Sequence, residues 1–284
     1  MNWIDEGALY SQIGLFLRED LGRGDITTQS IIARNTRARA RFLAGQDMIV
    51  AGLEAAEEVF LTLDSQQQLE AFVSDGEHVE AGKVIARMVG FADVLISAER
   101  VALNFLQRLS GIATLTARYV AAVDGTGAQI ADTRATTPGL RLLERYAVEL
   151  GGGYNGRFGL DDGVVVTSNH VSILGGVSSA VKAAKEKLGY IHKVAVEVSN
   201  ENEVKEAMGA GADVVVVEQP DAAQFGRLAK LAKELSDSVL IECAAKVTLE
   251  NVREYAEAGA QLIRVEALTS AAPAMDISFR VTPF

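Results

Sequence analysis

The sequence predicts an α/β protein whose second half is a series of strand–helix units. Two observations carry this. From residue 128 onward, short apolar runs alternate with helical segments, the runs falling at 128–131, 163–166, 193–198, 213–217, 238–242 and 261–265. Three of them, VVV (164–166), VAVEV (194–198) and VVVV (214–217), are nearly continuous β-branched stretches. Strands buried on both faces of a helix-covered parallel sheet have that composition. Such units close into a β/α barrel, complete or partial, or spread into a doubly wound open sheet. Periodicity alone does not separate the two, and in both the function gathers at the C-terminal ends of the strands.

The first half mixes element types. Residues 5–19 have helical spacing through Ile13, Leu15, Phe16 and Leu17. ARARFLAG (38–45) alternates small or apolar with basic residues, the period of a half-exposed strand. Leu53–Leu63 reads as a helix. AFVSDGEHVEAGKVIARMVG (71–90) gives two strands joined by turns at Asp75-Gly76 and Ala81-Gly82. A long helix follows from about Val94 to Val123, with Leu95, Ala98, Ala102, Phe105, Leu106 and Leu109 on one side and Gly111 as the expected kink or break. In the second half, VKAAKEKL and ENVREYAEAGA are good helix formers, the latter closing on Gly259.

Composition excludes several classes. The net charge is −11, whereas a duplex-binding surface needs clustered Lys and Arg, so neither nucleic acid nor anionic membrane is an expected partner. One cysteine, Cys243, rules out an internal disulfide, and three scattered histidines (His78, His170, His192) lack zinc-site spacing. The opening MNWIDEGALY has no basic or apolar leader segment, and no apolar run approaches the roughly 18 residues of a membrane span. A cytoplasmic protein is expected.

The residues following each predicted strand form a short list. They are Asp132-Thr133-Arg134, Arg157 in the glycine-rich GGGYNGRFGLDD, Thr167-Ser168-Asn169-His170, Glu197 within its strand, Glu218, Glu242 with Cys243-Ala244-Ala245-Lys246, and Arg264 with Glu266. Arginine grips carboxylate or phosphate bidentately, so this rim suits an anionic ligand, and its carboxylates suit Mg²⁺ beside a phosphate. Glu197 is the most telling, because a carboxylate inside a buried apolar run needs a role or a partner. His170 taken alone is better read as a structural histidine, and GGGYNG matches no nucleotide-loop spacing.

In order, EDLGRGDITT (19–28), SAERVALNFLQRLSGIAT (97–114), DTRATTPGLRLLERYAV (132–148), GGGYNGRFGLDD (151–162), NHV (169–171), VTLENVREYAEAGA (247–260) and ALT…APAMDIS resemble the quinolinate phosphoribosyltransferase family along nearly the whole chain. The resemblance implies an N-terminal α/β sandwich domain (1–115, with about 270–284 returning to it) and a C-terminal open α/β barrel of six to seven strands (116–270). It also implies a homodimer, a carboxylated small-molecule ligand, Mg²⁺ and no organic cofactor. By the same resemblance Arg134 and Arg157 bind substrate, and Arg100 reaches in from the second subunit. Glu197 and Glu218 act on the ribose and the metal, while Thr167, His170, Lys246 and Glu266 lie at substrate-binding positions.

Several positions depart from the family pattern. It has lysine at Ala135 and Thr167, histidine at Gly156, a carboxylate at Ser168, aspartate at Glu218, Ser-Gly-Gly at Ala244-Ala245-Lys246 and glycine at Glu266. These changes remove cations and flexible phosphate-loop glycines. They lead to the expectation of a reworked acceptor and phosphate site for a carboxylated, heteroaromatic molecule, in which Lys246 and Arg264 either compensate in part or pair with Glu266 and Glu218. The alternatives are the ordinary quinolinate reaction, compensated by Lys246 and Arg264, and a silent relative that binds a metabolite or partner.

Overall fold

The structure is a computed structural model describing residues 6–284; the opening MNWID, read above for its lack of a leader, lies outside the described residues. The first half runs α1 (Glu6–Leu21), α2 (Ile26–Ile31), β1 (Arg37–Ala44), β2 (Met48–Ile49), α3 (Leu53–Leu63), β3 (Gln68–Ala71), β4 (His78–Val79), β5 (Val84–Phe91) and α4 (Ala92–Ala122). The second continues β6 (Gln129–Ala131), α5 (Arg141–Leu150), β7 (Val164–Val166), α6 (Ser168–Leu174), α7 (Val177–Lys187), β8 (Val194–Val198), α8 (Glu201–Gly209), β9 (Val214–Glu218), α9 (Ala222–Leu235) and β10 (Leu240–Ala244). It ends with α10 (Val252–Glu257), β11 (Leu262–Arg264), α11 (Ala267–Ser270) and β12 (Ile277–Pro283). No helix among the described residues is long and apolar enough to cross a membrane.

The chain forms two compact units. The first takes residues up to Leu115, Thr137–Gly152 and Ala272–Phe284. Its antiparallel sheet has the order β12-β1-β5-β3. The alternation read in β1 sends Ala38, Ala40, Phe42 and Ala44 inward and Arg37, Arg39 and Arg41 outward. Phe42 packs on Phe279 of β12 at 4.6 Å and on Phe60 of α3 at 6.2 Å between ring centroids, which joins sheet to helix. The 71–90 stretch differs from the expected two-stranded hairpin. β3 pairs with β5, while the short β4 pairs with β2.

α4 runs unbroken past Gly111. The glycine is needed for closeness rather than bending, because a Cβ there would run into the Pro273 carbonyl. The Thr137–Gly152 segment, read as barrel, groups with the first unit for an electrostatic reason. Glu144 is fully buried and accepts from Arg108 Nε (3.1 Å) and Nη2 (2.9 Å) and from the backbone and hydroxyl of Thr137 (3.0 and 2.8 Å). Tyr146 also donates to Asp75 at 3.1 Å.

The second unit takes Thr116–Thr136 and Gly153–Ala271. Its sheet is parallel throughout, in the order β6-β11-β10-β9-β8-β7. The first strand therefore pairs with the last and the rest follow in sequence, which is the cyclic order of a barrel with the β6–β7 seam left open. A doubly wound sheet would reverse direction at a switch point, so the topology selects the open barrel. A bridge from Ala131 to Tyr154 adds a fragment of a seventh strand at β6.

The buried Glu144 yields a stability test. Arg108→Met leaves that carboxylate without its cation, and should lower unfolding free energy by about 3 kcal/mol in urea titration, with Glu144→Gln in the same background recovering part of the loss.

Candidate active site

Parallel register determines which side chains share a face. Glu197 on β8 stands opposite Val216 on β9, Val216 opposite Glu242 on β10, and Glu242 opposite Leu262 on β11. Two residues further along are Glu218, opposite Ala244, and Arg264, opposite Ala131 of β6. All of these occupy the inner face, because side chains alternate with period two. The intervening Val196, Val215, Ile241, Cys243, Ile263 and Ile130 face outward and are almost completely buried. One face is thus sealed and apolar, while the other carries the charges.

Loops complete the mouth. Tyr154 N–H donates to the Ile130 carbonyl (2.8 Å) and Asp132 N–H to the Tyr154 carbonyl (3.0 Å), stitching the glycine-rich loop to the edge of β6. The buried Asp132 accepts from Gly156 N–H at 2.7 Å. Arg157 Nη1 then donates to the Gly163 carbonyl at 3.0 Å. The Arg157 guanidinium is held below its usual pKa by burial first, then by Arg134 and Arg264, with Glu197 opposing. Three arginines from separate segments therefore converge. Ala135 contributes backbone alone: its N–H donates to Thr133 Oγ1 (3.1 Å) and its carbonyl accepts from Thr269 Oγ1 (2.8 Å).

Thr167 and His170 cap α6. His170 Nδ1 accepts from the Thr167 backbone N–H at 3.0 Å and lies 2.8 Å from its hydroxyl. That bond leaves the imidazole proton of a neutral ring on Nε2. Glu197 Oε2 accepts from Ser168 N–H at 2.9 Å, which fixes the carboxylate beside this cap. Glu218 is pushed above the usual glutamate range, first by burial, then by Glu197 and Glu203.

Both solved and curated proteins share this architecture. The family model described as "Quinolinate phosphoribosyl transferase, C-terminal domain" matches residues 112–280, and its N-terminal counterpart matches 25–110. The chain belongs to the quinolinate phosphoribosyltransferase family. A "Probable nicotinate-nucleotide pyrophosphorylase [carboxylating]" of Bacillus subtilis is 39% identical, covering 94% of this chain and 91% of its own. Its namesake from Synechocystis is 37% identical, with 94% and 90% covered. Solved structures of NadC from Streptococcus pyogenes (TM-score 0.93, 31% identity, 99% of each chain) and of the nicotinate-nucleotide pyrophosphorylase from Francisella tularensis (TM-score 0.93, 33% identity, 99% and 98%) superpose over essentially the whole fold.

Within this family fold, Arg134, Arg157, Glu197 and Glu218 gather at one mouth. Thr167 and His170 sit beside them as a helix cap, and Arg100 is exposed on α4 in the first unit. Neither of the two pairings weighed from the sequence forms. Arg264 bonds Glu242 through Nε and Nη2, both 2.5 Å from Oε1, instead of Glu218. The reason is register, which places Glu242 one step below Arg264 on the neighbouring strand. Lys246 and Glu266, exposed beyond β10 and β11, form no ion pair with each other among the described residues. The Glu242–Arg264 pair was the feature missed; both residues lie near the ends of predicted strands, but strand offset is invisible in one sequence.

No cluster of three or more His, Cys, Asp or Glu suited to a metal occurs among the described residues. The Glu197–Glu218 pair still fits Mg²⁺, which keeps several waters and takes one or two carboxylates plus substrate phosphates. Their mutual repulsion, visible in the raised Glu218, is what a dication would relieve. Glu197→Gln should accordingly lower the Glu218 midpoint toward, without reaching, the ordinary glutamate value, since burial remains. NMR titration of the Glu218 carboxyl checks this; an unmoved midpoint would separate the two groups.

Proposed function

We propose that this chain catalyses the ordinary quinolinate phosphoribosyltransferase reaction in the cytoplasm. The quinolinate ring nitrogen displaces pyrophosphate from the anomeric carbon of phosphoribosyl pyrophosphate, and the ring then loses carbon dioxide to give nicotinate mononucleotide. The observation that carries this reading is the convergence of Arg134, Arg157 and Arg264 on the face that holds Glu197 and Glu218. The names of full-length relatives support the same direction.

Two adjacent carboxylates on the acceptor need closely spaced cations, and a cluster whose members repel one another gains most from such an anion. Positive charge builds at the anomeric carbon as pyrophosphate departs, and Glu197 and Glu218 are placed to stabilise it. Bound Mg²⁺ would neutralise the leaving pyrophosphate. After ribosylation the bond to the carboxylate next to the cationic ring nitrogen breaks. Its electron pair stays on the ring carbon, stabilised by the adjacent positive charge, and that carbon takes a proton from water as carbon dioxide leaves. Arg100 joins this site from a second copy in our reading, which makes the working unit a dimer.

The departures from the family pattern support compensation more than a new substrate. In this reading Lys246 and Arg264 would offset the cations missing at Ala135 and Thr167, Arg264 by turning to an incoming anion in competition with Glu242. One observation favours the reworked alternative: Glu266 stands exposed, without Lys246, at the corner where the resemblance puts the 5′-phosphate.

The deciding assay is release of pyrophosphate and carbon dioxide from quinolinate and phosphoribosyl pyrophosphate. Mg²⁺-dependent turnover is expected, and Arg264→Met should lower kcat/KM about 10–100-fold, the value of one charge-assisted contact. No turnover, together with no calorimetric binding of phosphoribosyl pyrophosphate, would transfer the proposal to a reworked site. Sedimentation should give the dimer mass at micromolar protein; a monomer would remove Arg100 from the site.

A further inference from the structure

The outward face of the four-stranded sheet carries a charge pattern that the barrel reaction does not use. Arg41 of β1 stands directly opposite Arg280 of β12 on one side and Arg87 of β5 on the other. Arg37 and Arg39 extend the same face along β1, and all five are exposed. Like charges directly opposite across strands repel, so this row opposes folding unless something covers it. The one carboxylate opposite the row is Glu70, facing Arg87 in an exposed pair at 3.4 Å, which does little to offset it. Arg41 and Arg280 have no ion-pair or ring partner among the described residues. All of this sits in a chain of net charge −11.

The other three guanidiniums are held by rings. Arg37 lies over Phe91 (5.2 Å), Arg39 over Phe284 (4.5 Å) and Arg87 over Phe72 (5.2 Å). Stacking orients each plane and leaves the N–H edges of Arg37 and Arg39 open to a bidentate acceptor, while Arg87 shares its edge with Glu70. The guanidiniums occupy one face of each ring, while Phe72 and Phe284 remain 40% and 66% exposed. An extended polyanion or a membrane would leave the patch and meet the acidic remainder of the surface. A short segment confined to the patch would not, because charges beyond about 8 Å are screened at physiological salt.

We propose that this sheet face docks a short Asp/Glu-rich segment of a partner protein. Carboxylates spaced along an extended segment would cross the Arg280–Arg41–Arg87 row and the ring-stacked arginines beside it.

Fluorescence anisotropy with a labelled hexaglutamate peptide tests this on the whole protein. The peptide should bind at low salt and weaken as salt rises. Combined Arg41→Glu and Arg280→Glu should reduce affinity about tenfold or more, with a shallower salt dependence. Arg280→Gln, which only removes charge, should act in the same direction by a smaller factor. Turnover should be unchanged, and Arg41→Glu should raise Tm, since it replaces two repulsive contacts with two attractive ones. Peptide binding equal to wild type in both variants would overturn the proposal. So would tighter binding of a labelled oligothymidylate or of phosphatidylserine vesicles than of the peptide.

Discussion

A strand in a parallel sheet shows its side chains to alternate faces, and pairing with neighbours locks that alternation in phase around the barrel. The chemistry of this protein rests on that phase. Val215, Ile241, Cys243 and Ile263 go to the helices, while Glu197, Glu218, Glu242 and Arg264 go inward. A slip of one residue in any of these strands would bury its charges under helices and expose its apolar set. The buried aliphatic layer therefore orients the acids and bases as well as stabilising the fold. Cys243 belongs to that sealed layer, and burial pushes its thiol up to about 12, which keeps it out of the chemistry.

The same geometry explains how a mouth can exchange one cation for another. Strand ends around an open barrel surround a common space, so a positive charge lost from the loop after β6 can return on β11, its hydrogen-bonded neighbour. Arg264 stands opposite Ala131, three residues before Arg134. Its bond to Glu242, one step deeper in the barrel, fixes the direction of the guanidinium. Function in such a rim depends on the sum of charge and its spacing more than on which strand supplies each group.

What the sequence made legible was local. Six β-branched or apolar runs announced the barrel strands within about two residues, and Glu197 stood out because VAVEV has no other polar residue. Long-range pairing was not legible. Nothing in VVVVE and LIECA says that Glu242 lies opposite Val216, so Glu218 was the carboxylate weighed for Arg264 and Glu242 was not. The helix Arg141–Leu150 reads as an ordinary barrel helix, yet one buried acid, Glu144, ties it to Arg108. Gly111 resembled a hinge because its partner, Pro273, is distant in the chain. The alternating arginines of β1 were visible at once, whereas their alignment with Arg87 and Arg280 required the sheet.

The order β12-β1-β5-β3 bears on how the chain is made. The strand that completes the first sheet is translated after the whole barrel, and its Phe279 fills the space between Phe42 and Phe60. During synthesis β1 therefore waits with one edge unpaired while the later half emerges, and the barrel's consecutive strands can pair as they appear. An open edge invites other chains to add to it. The exposed arginines on β1 repel a second β1 approaching in the same way, so this row also guards the nascent edge until its own last strand arrives.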